Sequence, residues 1–149
     1  MDVSKRFHLV QADESHIQKL IEYKSDTVMP YVVRRNMLSI VERFIRENVP
    51  KNIDKYEIIV VDEKPIGCVS LVENPDGLFL DEFYIEKNYR NMGIGSEIMN
   101  GILNRGMDVS LWVYKSNEKA IRLYEKFGFK VKFMDDERLE MEYSGGRDE

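Results

Sequence analysis

A single cysteine in 149 residues leaves Cys68 without a partner for an intrachain disulfide. No CxxC or Cys/His spacing suits zinc, so no metal is expected. Cys68 lies in the apolar run from Pro65 to Val72, the setting of a buried structural thiol and not of a nucleophile. The two histidines, His8 and His16, fall on different predicted elements and form no ligand or base pair. No apolar run reaches the roughly 18 residues that a membrane span needs. The first ten residues, MDVSKRFHLV, have no apolar leader core, which points to the cytoplasm and away from membranes. Basic residues are not in excess: the net charge is −5, and neither a basic patch nor a nucleic-acid motif occurs.

What is present is the composition of a globular protein, 43% hydrophobic and 33% charged with both signs interspersed. The length suits one domain over 1–149. The apolar period changes along the chain. Phe7 to Ala12 reads as a strand. Asp13 then caps a helix with Ile17, Leu20, Ile21 and Val28 on one face and Lys24 as a polar interruption, until Pro30 breaks it. A second helical pattern, from Met37 to Val49, is expected to end before Pro50. From Tyr56 the period is that of strands: YEIIVVDE, a turn at Glu63-Lys64-Pro65, IGCVSLVE, a turn at Asn74-Pro75-Asp76-Gly77, and LFLDEFYIE. Two short strands, FKVKFMD and RLEMEYS, close the chain before a tail from Gly145 that is expected to fray.

The stretch from Leu80 to Leu103 carries most information. A strand runs into Arg90-Asn91-Met92-Gly93-Ile94-Gly95-Ser96 and then into an apolar helical repeat. A helix starting there directs unpaired N–H groups and the positive end of its dipole into the loop, where an anion can sit. Gly93 and Gly95 let the backbone approach a phosphate closely. The P-loop pattern fails for want of a following Lys-Ser or Lys-Thr. The dinucleotide fingerprint fails for want of a third glycine. Downstream, Val109 to Phe129 reads as an alternating strand, a cap at Ser116 or Asn117, a helix with Ala120, Ile121, Leu123, Tyr124 and Phe127, and a stop at Gly128.

Arg90-x-x-Gly93-x-Gly95, followed in order by Asn117, Ala120, Tyr124, Gly128 and Phe129, resembles the motif set of the GNAT family of N-acetyltransferases. The element order β-α-α-β-β-β-α-β-α-β-β is similar to that fold over essentially the whole chain. The resemblance implies an α/β (α+β) fold: a mixed, mostly antiparallel sheet of about seven strands with about four helices, and central parallel strands that splay apart.

It further implies transfer of an acetyl group from acetyl-CoA to a primary amine by direct attack in a ternary complex. Backbone N–H groups from Asn91 to Ser96, through Met92, Gly93, Ile94 and Gly95, would face the pyrophosphate, with Arg90 adding charge. Phe83, Tyr84 and Ile85 would pair with the pantetheine arm like an added strand, leaving the Ile85 N–H as oxyanion donor. Asn117 would cap its helix or bond the pantetheine, and with Ala120 and Tyr124 of the same matched motif it would belong to the cofactor-binding set. Tyr124, a phenol protonated at neutral pH, would be the general acid for the thiolate.

For the base, Glu82 is preferred. Asp81, or no dedicated base, are the alternatives. Before any bulge, Glu82 shares a face with Tyr84, and Asp81 shares one with Phe83 and Ile85. The two N-terminal helices would wall the acceptor pocket. A small-molecule amine is the expected acceptor; a protein or peptide acceptor, or a non-catalytic CoA-binding sensor, are the other readings. The last strands leave room for a homodimer without requiring one.

Overall fold

The computed structural model describes residues 6–145; of the tail, residues 146–149 lie outside the described part. The period-two segments become β1 (Phe7–Gln11), β2 (Tyr56–Val61), β3 (Lys64–Asn74), β4 (Gly77–Ile85), β5 (Val109–Tyr114), β6 (Lys130–Met134) and β7 (Arg138–Tyr143). They form one seven-stranded sheet in the order β1-β2-β3-β4-β5-β7-β6. Every neighbouring pair is antiparallel except β4 and β5. The helices are α1 (Ile17–Val28), α2 (Leu38–Lys51), α3 (Ile94–Leu103) and α4 (Glu118–Lys126).

Strand alternation sends apolar side chains to both faces of the sheet, and the helices cover them in two layers. On one face Leu20, Ile21 and Tyr23 of α1 and Ile45 and Val49 of α2 pack on Tyr56, Ile58, Val60 and Cys68. On the other, Ile94, Ile98, Met99 and Ile102 of α3, with Phe129 after α4, pack on Ile59, Val69, Leu78, Leu80, Val109, Leu111 and Met141. Asp13 caps the first helical turn as expected, and His16 completes a reciprocal capping box. The cap opens on a short 3-10 turn, after which α1 begins at Ile17.

Two local expectations are corrected. The helix α2 does not end before Pro50 but runs through it to Lys51. A proline in the last turn forfeits only its own N–H bond, and the Asn52 N–H still reaches Asn48 O at 3.2 Å and Val49 O at 3.1 Å. The β2–β3 turn lies one residue earlier than Glu63-Lys64-Pro65: Val61 pairs with Lys64, and Asp62 and Glu63 form the loop with φ of 50° and 66°. Positive φ at both central residues is the type I′ geometry, whose twist matches that of the strands it joins.

Candidate active site

The cleft is created by what β4 does along its length. It pairs with β5 only at Leu78↔Val109 and Phe79↔Ser110 and then diverges, so among the described residues the rest of β4 has no strand paired on that side. On its other side, the register with β3 slips between Ser70↔Glu82 and Leu71↔Leu80, leaving Asp81 as a bulge residue. The slip re-aims the strand. Leu78 and Leu80 face α3, and without the bulge Glu82 would follow them. With it, Phe83 and Ile85 take the α3 face while Glu82 and Tyr84 turn toward α1. Glu82 with Tyr84 and Phe83 with Ile85 therefore share faces as read from the sequence, but Asp81, expected on the Phe83 face, has its carboxylate 4.0 Å from Lys24 on the α1 side because the bulge turns it there.

Backbone direction follows from one bond. The Glu86 N–H donates to Ile66 O at 2.7 Å, which makes Gly67↔Ile85 a non-hydrogen-bonded pair of the ladder. The amide groups of Ile85, and of Phe83 two residues earlier, therefore point away from β3 into the open wedge. Those are the groups an extended ligand amide would pair with. Tyr84 stacks on Tyr23 of α1 with centroids 4.7 Å apart, and its hydroxyl donates to Asp26 Oδ2 at 2.8 Å. Burial and that carboxylate push the Tyr84 phenol up to about 12. The Tyr23 hydroxyl donates to Glu86 Oε2 at 2.6 Å.

After β4 the chain makes two left-handed steps, Asn91 at φ 62° and Gly93 at φ 94°, the latter as N-cap of α3. Glu97 is the first residue whose N–H bonds back, onto Gly93 O at 3.0 Å. The N–H groups of Ile94, Gly95 and Ser96 stand ahead of it at the positive end of the helix. A Cβ on Gly95 would lie 3.3 Å from Ile85 Cδ1 and 3.7 Å from Phe83 Cζ, so bare backbone is what lets the helix end sit against the end of β4. Arg90 is turned back: its Nε donates to Ile85 O at 2.6 Å and its guanidinium lies 5.3 Å from the Tyr84 ring centroid. It ties the loop to the strand end.

Tyr124 projects from α4, on the opposite face of the sheet from α1. Asn117 caps that helix, its Oδ1 accepting from the Ala120 N–H at 3.2 Å. The Tyr124 ring packs edge-on against Phe129 at 5.6 Å. Burial first, and the charge of Glu82 second, push its phenol upward, so it holds its proton at neutral pH.

Glu82 is buried, with a side chain only 1% exposed. Lys24 Nζ stands 3.0 Å from its Oε1, and the Thr27 hydroxyl donates to its Oε2 at 2.8 Å. Lys24 also lies 4.0 Å from Asp81 Oδ1. Burial pushes the Glu82 carboxyl up, against the opposing pull of Lys24 and Thr27. Beside Glu82 in the ladder, the buried Ser70 hydroxyl has no hydrogen-bond partner among the described residues. Cys68 is fully buried and its thiol is pushed well up by desolvation, so the reading of it as an inert structural thiol stands.

Phe83, Ile85 and Tyr124 thus pack on the α3 side of the sheet with Gly95 of the loop against the end of β4, Glu82 and Tyr84 turn to the α1 side, Arg90 ties the loop to β4, and Asn117 is placed as the cap of α4. Lys24 and Thr27 went unrecognised in the sequence. Their spacing of three along α1 puts them on one face, but nothing in it reveals a carboxylate 55 or more residues later. Trp112 of β5 lies half-buried, with the Arg138 guanidinium 4.5 Å from its ring centroid and Phe133 edge-on at 6.0 Å.

Comparison with known proteins is consistent with this geometry. The model of the acetyltransferase (GNAT) family matches residues 26–129. A probable spermine N(1)-acetyltransferase of Bacillus subtilis subsp. natto (strain BEST195) is 31% identical over 64 residues, covering 38% of this chain and 42% of that protein. The peptidyl-lysine N-acetyltransferase YjaB of Escherichia coli (strain K12) is 29% identical over 69 residues, covering 46% of this chain and 44% of that protein. Both alignments span less than half of the curated relative. Among solved structures, the PaiA N-acetyltransferase from Thermoplasma acidophilum in complex with coenzyme A superposes with a TM-score of 0.72 at 19% identity, over 93% of this chain and 98% of that one. The fold is therefore that of these acetyltransferases, and the chain belongs to the acetyltransferase (GNAT) family.

Proposed function

We propose that this protein moves the acetyl group of acetyl-CoA onto the primary amine of a small molecule, by direct attack in a ternary complex. The observation that carries the reading is the wedge: β4 leaves β5 after two pairs, and the amide groups of Phe83 and Ile85 face the gap. The amide-bearing arm of acetyl-CoA suits that edge, where the Ile85 carbonyl is taken by Arg90 but no strand among the described residues pairs with the Ile85 N–H or the Phe83 amide. Its pyrophosphate suits the start of α3, where Gly93 and Gly95 expose backbone N–H groups.

The residues around the wedge supply the proton chemistry. Glu82, directly or through water, takes a proton from the incoming ammonium and leaves a neutral nucleophile. As the C–N bond forms, the Ile85 N–H donates to the oxyanion. As the C–S bond breaks, Tyr124 gives its proton to the departing thiolate and recovers one from the nitrogen, so the products are amide, thiol and one released proton. The acceptor side carries Asp26, Asp81, Glu82 and Glu86 against Lys24, Lys19 and Arg90. An acidic balance there favours a cationic amine such as a polyamine, in keeping with the relative named as a probable spermine N(1)-acetyltransferase.

The test is thiol release from acetyl-CoA with spermine, spermidine, an aminoglycoside, free amino acids and lysine-containing peptides as acceptors. Release with a free amine well above that with any peptide supports the reading. Release with peptides alone would replace it with protein acetylation. Cofactor binding without release for any acceptor would favour a CoA-binding sensor.

A further inference from the structure

We infer that Lys24 is a positioning residue for the acyl transfer: paired with Glu82 across the contact between α1 and β4, it holds that carboxylate ionised and fixed beside the wedge. The inference rests on the reading of Glu82 as the proton acceptor.

Glu82 sits in a place hostile to charge. Its side chain is 1% exposed and that of Lys24 only 20%, so water does little to solvate either. The groups facing Glu82 can be named element by element. From α1 come Lys24 at 3.0 Å and the Thr27 hydroxyl at 2.8 Å; from its own strand comes Asp81, itself 4.0 Å from Lys24. Ser70 of β3 pairs with Glu82 in the ladder, and Tyr56 of β2, Cys68 of β3 and Tyr124 of α4 lie within reach of its charge. Burial keeps the two phenols and the thiol neutral, and the Ser70 hydroxyl carries no charge. Asp81 opposes the ionisation of Glu82, so among these neighbours Lys24 is the cation that sustains it.

Geometry adds to charge. Lys24 and Thr27 take one carboxylate oxygen each, from adjacent turns of the same helix. Two contacts on two oxygens fix the plane of the carboxylate. A lysine placed for packing alone would have its ammonium in solvent. This one has it against the carboxylates of a bulged strand.

The experiment follows the Glu82 carboxyl by 13C NMR in glutamate-labelled protein, assigned with Glu82→Gln, in wild type, Lys24→Met, Lys24→Arg and Thr27→Val. The expected result is an upward shift of the Glu82 midpoint by about one pH unit or more in Lys24→Met. Lys24→Arg should restore the midpoint, and Thr27→Val should give a smaller shift in the same direction. The acidic limb of kcat/KM for spermine should move with the midpoint. A folded Lys24→Met whose midpoint does not move overturns the inference, as does a midpoint that moves while the acidic limb stays. Should Lys24→Met fail to fold, an unmoved midpoint in Thr27→Val does the same. If Glu82→Gln turns spermine over like the wild type, it is the assignment of Glu82 as base that fails, and the midpoints still report whether the pairing exists.

Discussion

The α carbon of Gly95 packs so near the end of β4 that a Cβ there would stand 3.3 Å from Ile85 Cδ1. The obstructing atom is the tip of a half-buried, flexible side chain, which can yield by a few tenths of an ångström. Gly93 is constrained differently, by its own backbone at φ 94°. These two glycines, two residues apart, differ in what they tolerate.

Gly95→Ala is therefore expected to fold with nearly wild-type stability and to bind coenzyme A with a modest loss. Gly93→Val should lose about 1–2 kcal/mol from the left-handed strain alone, with a larger loss of coenzyme A affinity. Thermal melting and calorimetric titration of both variants check the order. Equal effects would show that the loop is not shaped by the backbone of Gly93.

Tyr124→Phe keeps the ring that packs on Phe129 and removes only the hydroxyl. Coenzyme A binding should be retained while kcat falls about a hundredfold, the lower range for loss of a positioned general acid. Because burial and the charge of Glu82 raise the phenol, the wild-type kcat should show no alkaline decline below about pH 10, the ordinary tyrosine value. Steady-state rates from pH 6 to 10 test both statements.

The Lys24–Glu82 pair should couple in stability as well. Removing either partner leaves the other charge poorly solvated, whereas removing both leaves a neutral contact. Chemical denaturation of Lys24→Met, Glu82→Gln and the double variant should give a coupling energy of about 2 kcal/mol. The pH dependence has a definite sign. The Lys24 ammonium is raised in the folded state, so its contribution is whole below its ordinary value of about 10.5 and is lost as the pH rises further. Glu82 is also raised, so its protonated form favours folding below about pH 4.3, and that contribution is lost as the pH rises through its folded value.

Cys68 is fully buried between the sheet and α1. It should resist Ellman's reagent in the native protein and react on denaturation. Cys68→Ser, which replaces a fully buried thiol by a more strongly hydrated hydroxyl, should cost about 1–3 kcal/mol. Fast labelling of the native protein would contradict the burial.

The sequence by itself determined the elements and the glycine loop that opens α3. Local chemistry was sufficient there: period two for the strands, a three-to-four repeat for the helices, Asn117 bonding the Ala120 N–H three residues on, and glycines where a helix must begin against a strand. Errors fell at boundaries, where a single proline or turn residue outweighed the pairing around it. Pro50 sits inside α2, and the hairpin turns at Asp62-Glu63.

Only the tertiary structure decided which carboxylate is buried and what holds it. The bulge at Asp81 depends on how β3 and β4 pair, not on either strand alone. It sets Glu82 toward α1, where Lys24 and Thr27 reach it from more than fifty residues earlier in the chain. A lysine on an apolar helix face reads as an interruption until the partner strand is in place. The ion pair, the opening between β4 and β5 and the convergence of Glu82 and Tyr124 from opposite faces of the sheet are all long-range packing, and local sequence pattern does not encode them.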